Sequence, residues 1–258
     1  MFDQLPLQQV QTDVLRSRWA NVLKFNSAFG LSLILAFGVP RFAIVLQANS
    51  GGNYSFVSLI FILMWLMPFL FLTGEGREKI GFLKPQNYSW LILSFTMGVL
   101  ASSIVYLLGE LLFSDSISNW FVYISKSYKL QAESLDQNRF IYFLIYGFIG
   151  MTFSPIGEEL LYRGLIHGSF ATQMTEQKAS ILDSLAFALT HLAHFGIVFV
   201  AGYWSFLFLP AAIWVMLMFL ASRLFFICKV KSGSILGAIL CHAGFNLAMT
   251  YYLIYFIL

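Results

Sequence analysis

Charge is what this chain has least of. Of its 258 residues only 15 are Lys or Arg and 12 are Asp or Glu, about 10% in all, against roughly 25% in an ordinary soluble domain. A soluble globule could not cover a composition that is 59% hydrophobic and 18% aromatic with polar surface. Cysteine is nearly missing as well. Cys228 and Cys241 both sit in apolar runs, so a disulfide framework is not indicated. Disorder, a collagen-like fibre and a disulfide-rich secreted module are excluded by the same arithmetic. The net charge is only +3 and no basic stripe is interleaved with aromatics, so no nucleic-acid partner is implied. What remains is a polytopic membrane protein in a lipid bilayer.

What the chain does have is long apolar runs. About 20 apolar residues in a helix cross a 30 Å hydrocarbon core. Seven stretches qualify, near 25–46, 55–73, 89–113, 139–165, 180–199, 205–228 and 234–257. The fold class expected is all-α, a transmembrane helix bundle of about seven spans, or eight if the later part is cut differently. Pro40 and Arg41 interrupt the first run and are expected to bend or end it. One or two amphipathic helices are expected at the interfaces, from the N-terminal segment 1–24 and from SISNWFVYISKSYKLQAESLDQN after the third span. The chain 1–258 reads as one integral-membrane domain with its chemistry in 139–258. No internal repeat stands out, which gives a repeat-built transporter no support.

Lys and Arg placement sets the orientation. With the N-terminus inside, eleven fall on the cytoplasmic side, and only Arg41, Lys126, Lys129 and Arg139 fall on the other. The expected topology therefore has a cytoplasmic N-terminus.

Ionisable groups at membrane depth are costly and are functional candidates by default. They form a short set here. The fourth span carries Glu158 and Glu159, followed by Arg163; the fifth carries His191 and His194; the seventh carries His242 and Asn246. At 1.5 Å per residue their depths from the cytoplasmic ends agree at roughly 10–18 Å. Residues from three helices thus converge on one layer open to the cytoplasm. Glu159 and Arg163 are four residues apart and can pair, while Glu158 points about 100° away and is left for another partner. His242 and Asn246 share one face, and His191 and His194 lie close enough in angle to reach one cavity. By contrast, His167 reads as interfacial, and Glu110 and Asp183 as snorkelling or capping groups.

A glutamate can take a proton from water and return it to a leaving amine. An imidazole opposite can hold that water, and an imidazole with an amide can stabilise the oxyanion of a tetrahedral intermediate. This is the inventory of a water-attacking peptidase without an acyl-enzyme.

Three motifs, Glu158-Glu159-x-x-x-Arg163, Phe187-x-x-x-His191 and His242-x-x-x-Asn246, occur in order on separate spans. In this the chain resembles the CPBP family, the CAAX protease and bacteriocin-processing (Abi) group of intramembrane proteases. The resemblance covers roughly 139–258. It implies that Glu158 activates water with help from His191, and that His242 and Asn246 form the oxyanion hole. It further implies that Glu159 and Arg163 support the site electrostatically and that Phe187 packs the helix bearing His191. His194 lies outside the motif core. The implied enzyme is a glutamate-type peptide hydrolase with no cofactor and no catalytic metal, acting on a peptide or membrane-protein segment near the cytoplasmic interface.

Other readings stay open on the residues alone. The same fold could serve as a non-catalytic membrane scaffold or immunity factor, or the carboxylates could carry protons or cations in a transporter. No HExxH or structural-zinc spacing is present, but a His-His-Glu metal set built across three helices remains an alternative.

Overall fold

The computed structural model describes residues 14–51, 55–128, 130 and 132–258. Each of the seven apolar stretches contains a helix: α1 (Ser27–Gly51), α2 (Ser55–Phe71), α3 (Ser89–Phe113), α4 (Ser134–Ala171), α5 (Glu176–Thr190), α6 (Phe208–Ser232) and α7 (Ile235–Ile257). Five of these, α1, α3, α4, α6 and α7, are long and apolar enough to cross a membrane. The other two are shorter, with 17 residues in α2 and 15 in α5.

Helix α3 is inside-out relative to a helix of a soluble protein. On α3 the buried positions are Ser94, Gly98, Ser102, Val105 and Gly109, while Ile92, Leu100, Ile104, Leu107 and Leu111 are exposed. Spacings of three and four put the small residues on one helical stripe, and small stripes let backbones approach where lipid gives no hydrophobic drive. Helix α7 packs along that stripe more extensively than against any other element, and also contacts α4 and α6. A methyl at Gly98 would overlap the Cys241 carbonyl, and one at Gly244 would overlap the Phe95 carbonyl. This crossing holds α7, and with it His242, at a fixed depth.

Two local expectations are corrected. Helix α1 neither ends nor breaks at Pro40, because a π-helical stretch at Ile34–Gly38 precedes it. That wider turn relieves the clash between a proline ring and the turn before it. The run 180–199 is not one helix: α5 stops at Thr190, a 3₁₀ turn covers His191–Ala193, and an antiparallel hairpin follows with β1 (Ile197–Val200) and β2 (Tyr203–Phe206). The β-branched run and a two-residue turn with positive φ at Ala201 (51°) and Gly202 (86°) favour the hairpin over helix. The fold is therefore all-α save for this one small sheet among the described residues.

The segment after α3 packs part of itself against the bundle. Asn119 caps a short helix, Trp120–Ser125, and Trp120 is fully buried, donating from Nε1 to the Val105 carbonyl at 3.1 Å. At the N-terminus, the described residues show only one helical turn, Ser17–Ala20, and an isolated bridge from Leu15 to Leu72. The rest of that expected interfacial helix, residues 1–13, lies outside the described residues.

Overpacking a tight crossing costs about 1–3 kcal/mol. Gly98→Ala and Gly244→Ala should each lower the thermal midpoint in detergent accordingly. Gly51→Ala, which meets nothing within 4 Å, should leave the midpoint within the range of a neutral surface change.

Candidate active site

The two glutamates sit where α4 changes winding. Glu158 ends the regular part, and Glu159–Ile166 form a π-helical stretch. Such stretches displace carbonyls from the regular ladder and concentrate at functional sites. Here Lys229 donates from Nζ to the Arg163 carbonyl at 2.6 Å. Neither glutamate side chain has any solvent exposure, so each charge must be answered inside the bundle.

Glu159 is answered within its own helix and from α7. Arg163 Nε lies 3.1 Å from Glu159 Oε2, the four-residue pair expected from the sequence, and His242 Nδ1 lies 2.8 Å from Glu159 Oε1. Arg163 also donates from Nη2 to Ser222 Oγ at 2.7 Å. Its guanidinium stacks 4.3 Å from the Phe187 ring centroid, a cation–π contact. With Nδ1–H directed at Glu159, neutral His242 presents Nε2 as an acceptor. That nitrogen is 3.7 Å from Glu158 Oε2, and the ring lies on Phe225 at 4.6 Å and 13°.

Glu158 is answered by a residue that sequence reasoning misplaced. Arg41 of α1 is 2% exposed, and its Nη2 lies 2.7 Å from Glu158 Oε1. It also donates from Nη1 to Thr190 Oγ1 at 2.9 Å, and its Nη2 lies 3.2 Å from His194 Nε2. Arg41 is thus no loop charge, and Arg163 is buried as well. Removing both changes the charge count from eleven against four to ten against three. The signal was present in the sequence, since fourteen residues after Ser27 place Arg41 about 21 Å along the helix. The other Glu158 oxygen accepts from Ser154 Oγ at 2.9 Å, one turn back in α4.

Where α5 ends, the Phe187 carbonyl accepts from Thr190 Oγ1 at 2.7 Å and from His191 Nδ1 at 2.8 Å. The His191 ring then offers Nε2 as an acceptor. His194 uses Nε2 to accept from Arg41, so its proton is on Nδ1. The two imidazoles are 5.6 Å apart between centroids. Phe187 contacts both the His191 ring, at 4.3 Å, and the Arg163 guanidinium, so it joins the two halves of the site.

A cavity of about 210 Å³ lies against these groups, and Arg41, Ser154, His191, His194, His242 and Asn246 all reach its wall. Asn246 donates from Nδ2 to the Gly150 carbonyl at 2.9 Å, tying α7 to α4. The two glutamates stand behind the wall. Among the described residues no three His, Cys, Asp or Glu side chains are grouped so as to hold a metal ion. The His-His-Glu set is therefore not brought together, and Glu158 faces Arg41, Ser154 and His242 instead.

Residues 140–248 match the family described as type II CAAX prenyl endopeptidase, Rce1-like. The matched segment is Rce1-like. It contains all three motifs, and the resemblance to CAAX proteases drawn from them is borne out at the level of the family. No curated protein and no solved structure matches the chain. The Rce1-like match and the apolar helices mark an integral membrane protein. Arg41 lies outside the Rce1-like segment, on the part of the chain without motifs.

A second polar cluster anchors α5, and it corrects two readings. His167 is 3% exposed rather than interfacial, with Nδ1 2.7 Å from Asp183 Oδ2 and Nε2 2.8 Å from Glu176 Oε2. Asp183 is fully buried and does not snorkel. Removing one partner from a buried pair typically costs about 3–5 kcal/mol, and an exposed partner at most about 1. Asp183→Ala should therefore lower the thermal midpoint far more than Glu176→Ala, whose side chain is 72% exposed.

Proposed function

We propose that the chain is an intramembrane endopeptidase in which Glu158 activates water for attack on a peptide bond. One observation carries this reading. A buried glutamate, paired with an arginine, stands one hydroxyl behind a cavity on which His191, His194, His242 and Asn246 converge. Water at that wall loses a proton toward the carboxylate while its oxygen attacks the carbonyl carbon. His191, with Nε2 available, orients the water. The oxyanion is met by the Asn246 amide, with the His242 ring beside it. Collapse breaks the C–N bond, and the proton goes to the leaving amine. Glu159 and Arg163 fix His242 and take no part in bond making. No cofactor enters these steps.

The cavity wall is otherwise apolar, with Val57, Phe61, Met218 and Phe245. It suits a substrate segment with a large apolar side chain beside the scissile bond. The family description names prenylated CAAX sequences as one substrate class. By the Lys and Arg distribution, the N-terminus and the site face the cytoplasm, and substrate enters from that interface.

Cleavage of a fluorogenic peptide library by detergent-purified protein tests this reading. Glu158→Gln should lower kcat by about 10²–10⁴, the range for losing a general base, and wild-type activity should persist in chelator. Activity lost to chelator would move the assignment to a metallopeptidase. Activity retained in Glu158→Gln would remove Glu158 from the mechanism.

A further inference from the structure

The buried layer holds four formal charges in two pairs, Glu159 with Arg163 and Glu158 with Arg41. The first pair lies within one helix and inside the family motif. The second reaches from α1, outside the Rce1-like segment. Without Arg41, Glu158 would keep one hydroxyl donor and an imidazole 3.7 Å away, too little for an anion with no exposure. Arg41 is itself held at two further points, Thr190 and His194, both at the end of α5 beside His191. The guanidinium therefore joins the glutamate of α4 to the histidine-bearing turn after α5.

Resting on the peptidase reading above, we propose that Arg41 is a positioning residue of the active site. It fixes the direction in which the Glu158 carboxylate faces the cavity and sets its distance from His191. His194 and Thr190 act through Arg41, which gives His194 a role that its place outside the motif left open. The π-helical stretch at Ile34–Gly38 serves the same end. An extra residue in a turn rotates the later part of the helix by about 100°, and Arg41, three residues on, faces the bundle rather than lipid.

Four variants and two kinds of readout test this. The first readout is independent of activity. Thermal midpoints of Arg41→Met, Glu158→Gln and the double variant form a double-mutant cycle, and infrared difference spectra against Glu158→Gln report the carboxyl group. Arg41→Met should shift the Glu158 carboxylate band, since that carboxylate loses the guanidinium 2.7 Å from its Oε1. The double variant should be more stable than Arg41→Met alone. The second readout is kinetic. Arg41→Lys keeps the charge but loses the planar fork that reaches three partners. It should fold, keep KM within about threefold and lose kcat by about a hundredfold, the scale of an ångström-level misplacement. Additive midpoints, an unchanged carboxylate band in Arg41→Met, or wild-type kcat in Arg41→Lys would each overturn the proposal. If wild type cleaves nothing, the peptidase reading falls, and the cycle and spectra still decide whether Arg41 holds the Glu158 carboxylate in place.

Discussion

Two carboxylates adjacent in sequence and out of reach of solvent are the constraint on which the rest of the structure depends. Each buried ion costs several kcal/mol unless cations and donors surround it, and removing one partner of such a pair leaves that cost uncompensated. One guanidinium could not serve both, because consecutive residues on a helix point about 100° apart. Glu159 turns toward Arg163 and α7, and Glu158 toward α1. The helices that flank α4 are thus tied to it by charge at one depth. The Gly98 and Gly244 contacts between α3 and α7 bring His242 to that same depth from the other side.

The sequence made the apolar helices and the motif residues legible for one reason. In a chain with so little charge, polar residues inside apolar runs stand out against a uniform background. Helix α3 is read to the residue, because Ser89–Phe113 is one uninterrupted run. Arg41 escapes sequence reasoning because proline beside arginine has two readings, a helix break or a kinked helix with a buried cation. Only the π stretch before it decides between them. His167 and Asp183 escape for a related reason. Near a span end a charged group can snorkel or pair, and pairing depends on a contact between helices that spacing along one helix does not encode. The hairpin after α5 is hidden because a run of β-branched and aromatic residues is apolar in either conformation. Trp120 looks interfacial by composition, yet Gly109 leaves room for its ring against α3.

The site also shows why Phe187 belongs with the polar residues. Its ring takes the face of Arg163 on one side and His191 on the other, and its carbonyl receives the protons of Thr190 and His191. A smaller side chain would leave a gap between the two halves of the charge layer, and the orientation of both would loosen. The motif residue acts through packing, at the point where α5 ends and the His191 turn begins.

The order of the charges bears on the chemistry more than their number does. The four formal charges cancel in pairs, so the layer carries none in sum. Yet among the described residues Arg41 is the one formally charged side chain on the cavity wall, while Glu158, Glu159 and Arg163 lie behind it. On the proposed mechanism, a peptide carbonyl in the cavity would meet the Asn246 amide and the His242 ring before either carboxylate. Negative charge growing on its oxygen would be met by donors already in place, which need no rearrangement during reaction. The proton released by water would move the other way, past Ser154 toward Glu158. On the proposed mechanism, an anion held behind the wall keeps the path of the proton apart from the place of the oxyanion, and the reach of Arg41 from α1 holds Glu158 there.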